Sequence, residues 1–425
     1  MRVSVRRSIL TVYLCVCGFV ALVTYQNLGD SSGAASTDGD TEPDSVFRRL
    51  TRSIIRRTEP SEEEVLKSLF PDPERPFDSD RILEQLRYRP RLKNGTVLIY
   101  LPQMSWDLED GDGTFRREQC PVSNCRFSTQ KGDAERADAV VFQNNALSSV
   151  TTSIPAAVRW KQVWILYMLE SPENTGLVGN GAAGVNWTAT YRWDSDIVAP
   201  YERFTRSGEL PHFAQPNAVA RKKNYAQGKT KQAAWFVSNC ISSNHREDYV
   251  RRLSEHISVD IYGSCGKLSC RRGSSRCFAM LDTDYKFYLA FENSNCVDYI
   301  TEKFFVNGLT RDVLPVVMGA PRASYERAAP PRSFVHVDDF ESPADLGRYL
   351  RYLDANDTAY NEYFAWKGSG QLINTKFWCR LCALLQRPFH KVYTRVQQWW
   401  AGGGVCIDDR RWRPTDTDQV FKPFR

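Results

Sequence analysis

The chain has 425 residues, 25% of them charged, and a formal net charge of only +6. That length has room for a short anchor, a linker and two domains of ordinary size. So mild a positive excess gives no electrostatic case for a nucleic-acid partner.

In chain order, Arg2, Arg6 and Arg7 precede an apolar stretch from Ile9 to about Val23. Residues 8–25 read as a transmembrane signal anchor, since eighteen helical residues span about 27 Å, enough for a thin bilayer. The charges lie before the span, so residues 1–7 are expected in the cytosol and the remainder in a lumen. A cleaved signal peptide is the alternative, with small residues for cleavage between Gly29 and Ala35. Residues 26–90, rich in Ser, Asp, Glu, Arg and Pro, read as a stem with a short helix through Ser61 to Leu69. The run from Arg48-Arg49 to Arg56-Arg57 reads as solvated linker.

A first domain is expected over residues 91–225, with buried strands at Thr96–Tyr100, Ala139–Phe142 and Val163–Met168. The basic, polar stretch Arg221 to Lys231 marks its end. A second domain over 226–370 carries strands at Ala234–Val237, Val259–Tyr262, Phe287–Phe291 and Val313–Val317, and a shorter one at Phe334–Val337. A helix is expected from Arg246 to Ile257. Residues 371–425 form a return segment. Strands alternating with helices predict parallel sheets, hence two α/β domains facing across a cleft.

Cys15 and Cys17 lie in the span and ten cysteines lie beyond it. An even number outside the span points to disulfides in an oxidising compartment. Cys379 and Cys382, spaced as CxxC, also permit a zinc reading, with Cys120 and Cys125 as the second pair. Sequons at Asn94, Asn186 and Asn356 fit the same compartment.

The most informative block is Tyr285 to Leu309. An aromatic strand breaks at the polar turn Glu292-Asn293-Ser294-Asn295, and a helix is expected from about Asp298. Helical spacing would place Tyr299, Glu302 and Lys303 on one face, with Ile300 and Phe304 toward the core. On position alone, Glu302 and Lys303 also read as a solvated pair. The words FYLAFENSNCVDYITEKFFVNGL followed by VLPVVMGA resemble the donor-binding signature of the α1,3-fucosyltransferases, glycosyltransferase family ten. The resemblance runs from about Asn94 to Cys406. It implies two Rossmann-like domains in a GT-B arrangement and inverting transfer of L-fucose from GDP-β-L-fucose.

Such a reaction needs a base for the attacking hydroxyl and cations or donors for the departing diphosphate. Glu170 ends an apolar strand before Ser171-Pro172, where partial desolvation would make a better base. By position it also reads as a loop glutamate, but ESP resembles the family's segment for its catalytic carboxylate. Arg246 matches the family's SN…R pattern with Ser238 and Asn239, which implies a guanidinium fork on the diphosphate. Lys303 would add a second cation, with Tyr262 and Gly263 beside the nucleoside. Glu292, Asn293, Tyr299 and Glu302 would grip guanosine, ribose and fucose hydroxyls.

Asp194-Ser195-Asp196 looks like a metal-binding DxD. In family ten, however, the matching segment belongs to the acceptor-side domain and cations replace an obligatory metal. Tyr191, Arg192 and Trp193 are therefore assigned to acceptor binding. No metal site is assigned, no cofactor is obligatory, and stimulation by Mn²⁺ or Mg²⁺ is left open. The resemblance further implies that Cys120 and Cys125 bridge to Cys379 and Cys382. The segments around Glu170 and Tyr191, together with the closing WWAGGGVC, look most like the invertebrate core enzymes. Those transfer fucose to O3 of the asparagine-linked GlcNAc of N-glycoproteins. An N-acetyllactosamine acceptor, as in Lewis-type enzymes, and an inactive donor-binding, lectin-like protein are the alternatives. The expected location is the Golgi membrane, single-pass type II, with the catalytic part luminal.

Overall fold

The computed structural model describes residues 61–412 except 73, 103–107, 144–153, 177–183, 210, 212, 213, 215–222 and 272. Two five-stranded parallel sheets dominate them. The first contains β1 (Val97–Tyr100), β2 (Cys125–Ser128), β3 (Ala139–Phe142), β4 (Val163–Met168) and β5 (Trp187–Thr190), in the order β2-β1-β3-β4-β5. A short strand β6 (Arg203–Arg206) follows. The second sheet contains β7 (Lys231–Phe236), β8 (Val259–Tyr262), β9 (Tyr285–Phe291), β10 (Leu314–Met318) and β11 (Val335–His336). Its order is β11-β10-β9-β7-β8, so both sheets share one doubly wound topology. Strand β12 (Gly370–Ile373) pairs antiparallel with β6.

Strand β9 shows why these runs become central strands. All seven of its residues are buried. Phe287, Leu289 and Phe291 join a cluster with Val250, Leu253, Leu346 and Leu350 on one face. Tyr288 and Ala290 join Phe304, Phe305 and Tyr325 on the other. Alternation assigns successive residues to opposite faces, and a sheet covered on both sides takes apolar groups or polar ones that are paired, as Lys286 is with Asp354 at 3.2 Å.

Four strands were not expected: β2, β5, β6 and β12. The reason is clearest in β5, where Thr188 and Thr190 are buried but satisfied locally. The Thr188 backbone N–H donates to Asp196 at 2.8 Å, and the Thr190 and Ser195 hydroxyls lie 2.7 Å apart. Residues 62–90 differ from a stem. The short helix expected there is present as Glu62–Ser68, but a second, unexpected one spans Arg81–Arg87, and Leu69, Phe70, Ile82 and Leu83 are buried. Phe70 packs on Trp187 at 5.3 Å and Phe389 at 5.0 Å, so this stretch is part of the first core.

The return segment closes on the same core. Helix Phe377–Leu385 contributes Leu381, Leu384 and Leu385 beneath the first sheet, and helix Val396–Ala401 contributes Val396 and Trp400 on its other face. All ten cysteines beyond the apolar span are paired: Cys120–Cys379, Cys125–Cys382, Cys240–Cys265, Cys270–Cys277 and Cys296–Cys406. Pairing of the two CxxC sulfurs removes the thiolates that a zinc site would need. Among the described residues no helix is long and apolar enough to cross a membrane. The expected anchor at residues 8–25 lies outside them.

The sequons separate by the use of their amide nitrogens. Asn94 is exposed. Asn356 caps helix Asp357–Glu362 through its oxygen and leaves Nδ2 at the surface, 3.3 Å from the Tyr352 hydroxyl. Asn186 is unsuited to a glycan, because its Nδ2 donates to the Lys391 carbonyl at 2.8 Å and its Oδ1 accepts the Trp164 N–H at 2.8 Å. Glycopeptide mass spectrometry of the protein expressed in a eukaryotic host is expected to find sugar at Asn94 and Asn356 and an unmodified Asn186. A glycan on Asn186 in folded, active protein would contradict this packing.

Candidate active site

In a sheet of this topology, the strands flanking the first one lead off to opposite faces, which opens a crevice at their carboxyl ends. In the second sheet that place lies beyond β7, between β8 and β9. A cavity of about 430 Å³ is found there, lined by Ser238, Tyr262, Gly263, Glu302, Lys303 and Asn307 among others. The size suits a nucleotide-sized ligand. Gly263 shapes its floor: φ is +106°, and a Cβ there would meet the Val237 carbonyl oxygen at 2.3 Å. Only glycine lets the ends of β7 and β8 approach so closely.

The lysine of the site is held by a buried carboxylate. Glu292 follows β9 and is fully buried. It accepts the Thr301 N–H at 2.8 Å, the Thr301 hydroxyl at 2.9 Å and Lys303 Nζ at 3.0 Å. Burial raises the pKa of Glu292 against the opposing pull of Lys303 and Thr301. Burial alone would lower that of Lys303, but Glu292 and Glu302 outweigh it and the ammonium is held above its usual value. Glu292 was expected to grip donor hydroxyls. With its oxygens spent inside the protein, it acts on a ligand only through Lys303.

The helix begins at Glu302, not near Asp298. Asp298 adopts a left-handed conformation (φ +61°), and its carboxylate takes the Ser324 hydroxyl at 2.6 Å, Arg327 at 2.7 Å and the Trp193 N–H at 3.0 Å. The turn this creates carries Tyr299 away from the face shared by Glu302 and Lys303. Tyr299 is buried, with its ring 5.1 Å from that of Tyr191. Its hydroxyl donates to Glu170 Oε1 at 2.5 Å. Ile300 and Phe304 are buried in the core.

Glu170 stands just past β4 and is exposed, where a partly buried carboxylate was expected. Its Oε1 also accepts the Ser171 N–H at 2.9 Å. Around it the loop is fixed by neighbours that sequence reasoning missed. The Tyr201 hydroxyl donates to the Leu169 carbonyl at 3.0 Å, and the Ser171 and Ser294 hydroxyls meet at 2.8 Å. Asn307 was also missed, although its place four residues after Lys303 on the same helical turn was a readable signal.

Ser238 lines the cavity, while Asn239 is exposed beside it. Arg246 does not line it. Its guanidinium is buried and donates to the carbonyls of Phe291 at 2.7 Å and Asn239 at 3.0 Å. Arg246 thus clamps the end of β9 to the loop after β7. Asn293 is half-buried and outside the cavity lining.

The Tyr191–Trp193 segment is likewise more structural than expected. Arg192 is buried, bonded to Asp194 at 2.9 and 2.6 Å and to the Trp399 carbonyl at 2.5 Å, with its guanidinium 4.5 Å from the Trp399 ring. No fork is left to present to a sugar. Tyr191 is buried against Tyr299 and Trp400, and Trp193 is half-buried with Arg203 over its ring at 5.2 Å. Asp196 accepts Lys391 at 2.7 Å and the Tyr393 hydroxyl at 3.0 Å, and Asp194 accepts Trp399 Nε1 at 3.0 Å. Both carboxylates are committed to holding the return segment. Their donors leave this DxD poorly suited to a cation.

Residues 92–202 match the family described as fucosyltransferase, N-terminal, and residues 226–399 match glycosyltransferase family 10 (fucosyltransferase) C-term. The chain is 46% identical over 348 residues to glycoprotein 3-alpha-L-fucosyltransferase A of Drosophila melanogaster, which covers 79% of this chain and 67% of that protein. It is 37% identical over 287 residues to alpha-(1,3)-fucosyltransferase 7 of Bos taurus, covering 66% of this chain and 78% of that one. A crystal structure of an α1,3-fucosyltransferase with GDP-fucose aligns with a TM-score of 0.46 at 16% identity, over 73% of this chain and 97% of that one.

Proposed function

The chain belongs to glycosyltransferase family 10 and is an α1,3-fucosyltransferase; from that premise we propose that it moves L-fucose from GDP-β-L-fucose, with inversion, to O3 of the asparagine-linked GlcNAc of the N-glycan core. The observation that carries the reading is the pairing of two half-sites. Lys303 lines a nucleotide-sized cavity past β7, and Glu170 projects from the other sheet, with Tyr299 bonded to it from the Lys303 side. Lys303 offsets the charge of the leaving diphosphate, and Glu170 takes the proton of the attacking hydroxyl. Glu302 is the single carboxylate among the described lining residues, which favours a cation-based rather than an obligatory metal-based hold on the diphosphate. Added Mn²⁺ or Mg²⁺ would then at most stimulate.

The core acceptor is supported by the likeness to a glycoprotein 3-alpha-L-fucosyltransferase, which extends through the acceptor-side half. Five disulfides support an oxidising compartment, consistent with luminal work on N-glycoproteins from a Golgi membrane anchor. The donor half is tested by Lys303→Ala. Losing one charge-assisted phosphate contact is expected to weaken GDP binding about 10- to 100-fold in a calorimetric titration. Unchanged affinity would reduce Lys303 to a counter-ion for Glu292.

A further inference from the structure

The two oxygens of Glu170 are in different situations. Oε1 takes both the Ser171 N–H at 2.9 Å and the Tyr299 hydroxyl at 2.5 Å, and nothing among the described residues donates to Oε2. Ser171 is the next residue in the chain, so its contact fixes little beyond the local turn. Tyr299 comes from the opposite half of the molecule.

The turn that carries Tyr299 is pinned by the C-terminal residues. Cys296 is bonded to Cys406. The Val297 N–H donates to the Val405 carbonyl at 2.9 Å, and the Ile407 N–H donates to the Asn295 carbonyl at 3.0 Å. Asn295 Nδ2 adds a bond to the Asp408 carbonyl at 2.9 Å. Residues 401–412 thus form a strap whose effect reaches Glu170 through one aromatic ring.

We infer that Tyr299 is the positioning residue of the base. It occupies Oε1, turns Oε2 toward the acceptor, and is itself kept in place by the strap that the Cys296–Cys406 bond closes. This rests on the reading of Glu170 as the base. In the transfer, Oε2 accepts the proton of the acceptor O3–H while O3 forms its bond to fucose C1. The bond from C1 to the phosphate oxygen breaks, and its electron pair leaves with GDP. Tyr299 neither gives nor takes a proton. Burial, with Glu292 and Glu170 nearby, pushes its hydroxyl far above the usual tyrosine range, so it remains a donor throughout.

Tyr299→Phe keeps the ring against Tyr191 and removes only the hydroxyl. Its kcat is expected to fall about 10- to 100-fold, the effect of losing a hydrogen bond to a charged group, with GDP affinity and the KM for GDP-fucose unchanged. In single-turnover measurements the same change in a Glu170→Gln background should cost nothing further. Cys296→Ser/Cys406→Ser should lower kcat in the same direction, again with GDP affinity intact. An unaltered kcat in Tyr299→Phe beside an inactive Glu170→Gln would overturn the positioning role alone. Loss of GDP affinity matching the loss of rate would also overturn it, making Tyr299 a donor contact. Full turnover by Glu170→Gln would instead sink the base reading first.

Discussion

Glu170→Gln is expected to cut turnover by about 10²- to 10⁴-fold, the range contributed by a general base, while GDP affinity and thermal midpoint stay near those of the unaltered protein. The exposure of Glu170 makes this a clean substitution. A surface change that breaks no buried network costs within about 0.5 kcal/mol. Glutamine retains an oxygen for the Ser171 N–H and the Tyr299 hydroxyl, so the local geometry survives. What it loses is the basic oxygen that takes the proton. Steady-state rates at saturating GDP-fucose, paired with a GDP titration of the same preparation, measure both halves. Turnover within a few-fold of the unaltered rate would remove Glu170 from the chemistry.

The second large effect is on stability and is not additive. Cys120–Cys379 and Cys125–Cys382 close loops with sequence separations of 259 and 257 residues. In the chain-entropy treatment, the first such bridge to form contributes about 5.5 kcal/mol. Once it is present, the second closes a ring of only about ten residues and adds about 2.5 kcal/mol. Replacing either pair by alanine should therefore cost about 2.5 kcal/mol, and replacing both about 8 kcal/mol, comparable to the whole stability of an ordinary domain. Denaturant unfolding of the two double variants and the quadruple variant under non-oxidising conditions tests this. Two equal and additive costs would show that the pairs do not share one closure. The consequence reaches the site, because the return helix Phe377–Leu385 precedes the segment that grips Arg192 and Asp196.

The parts of the fold legible in sequence are those whose burial is written in composition. Ala139–Phe142 and Val163–Met168 are apolar runs buried in a sheet, and both become strands over those bounds. Strand β5 was hidden because its polar residues find partners eight and five positions further along the chain, at Asp196 and Ser195. Alternation patterns cannot register such partners.

At the site, Ser238, Tyr262, Gly263, Glu302 and Lys303 meet around one cavity. The strand-end positions of the first three were visible in the residues, whereas the helix that carries the last two starts at Glu302 and not near Asp298. Tyr299 was displaced by a left-handed turn at Asp298. That turn is paid for by contacts with Ser324, Arg327 and Trp193, all distant in sequence. Arg192 and Arg246 show the complementary limit. Their type suggests ligand forks, but carbonyls of Trp399, Phe291 and Asn239 consume them, and only the folded chain brings those together.

Incubating the protein with GDP-fucose and a desialylated N-glycopeptide that carries both a core and lactosamine antennae, then fragmenting the product, reads activity and linkage site together. One added fucose is expected on the asparagine-linked GlcNAc, α1,3-linked, with the antennae unchanged. Fucose on the antennae alone, or no gain of mass with active donor present, would contradict it.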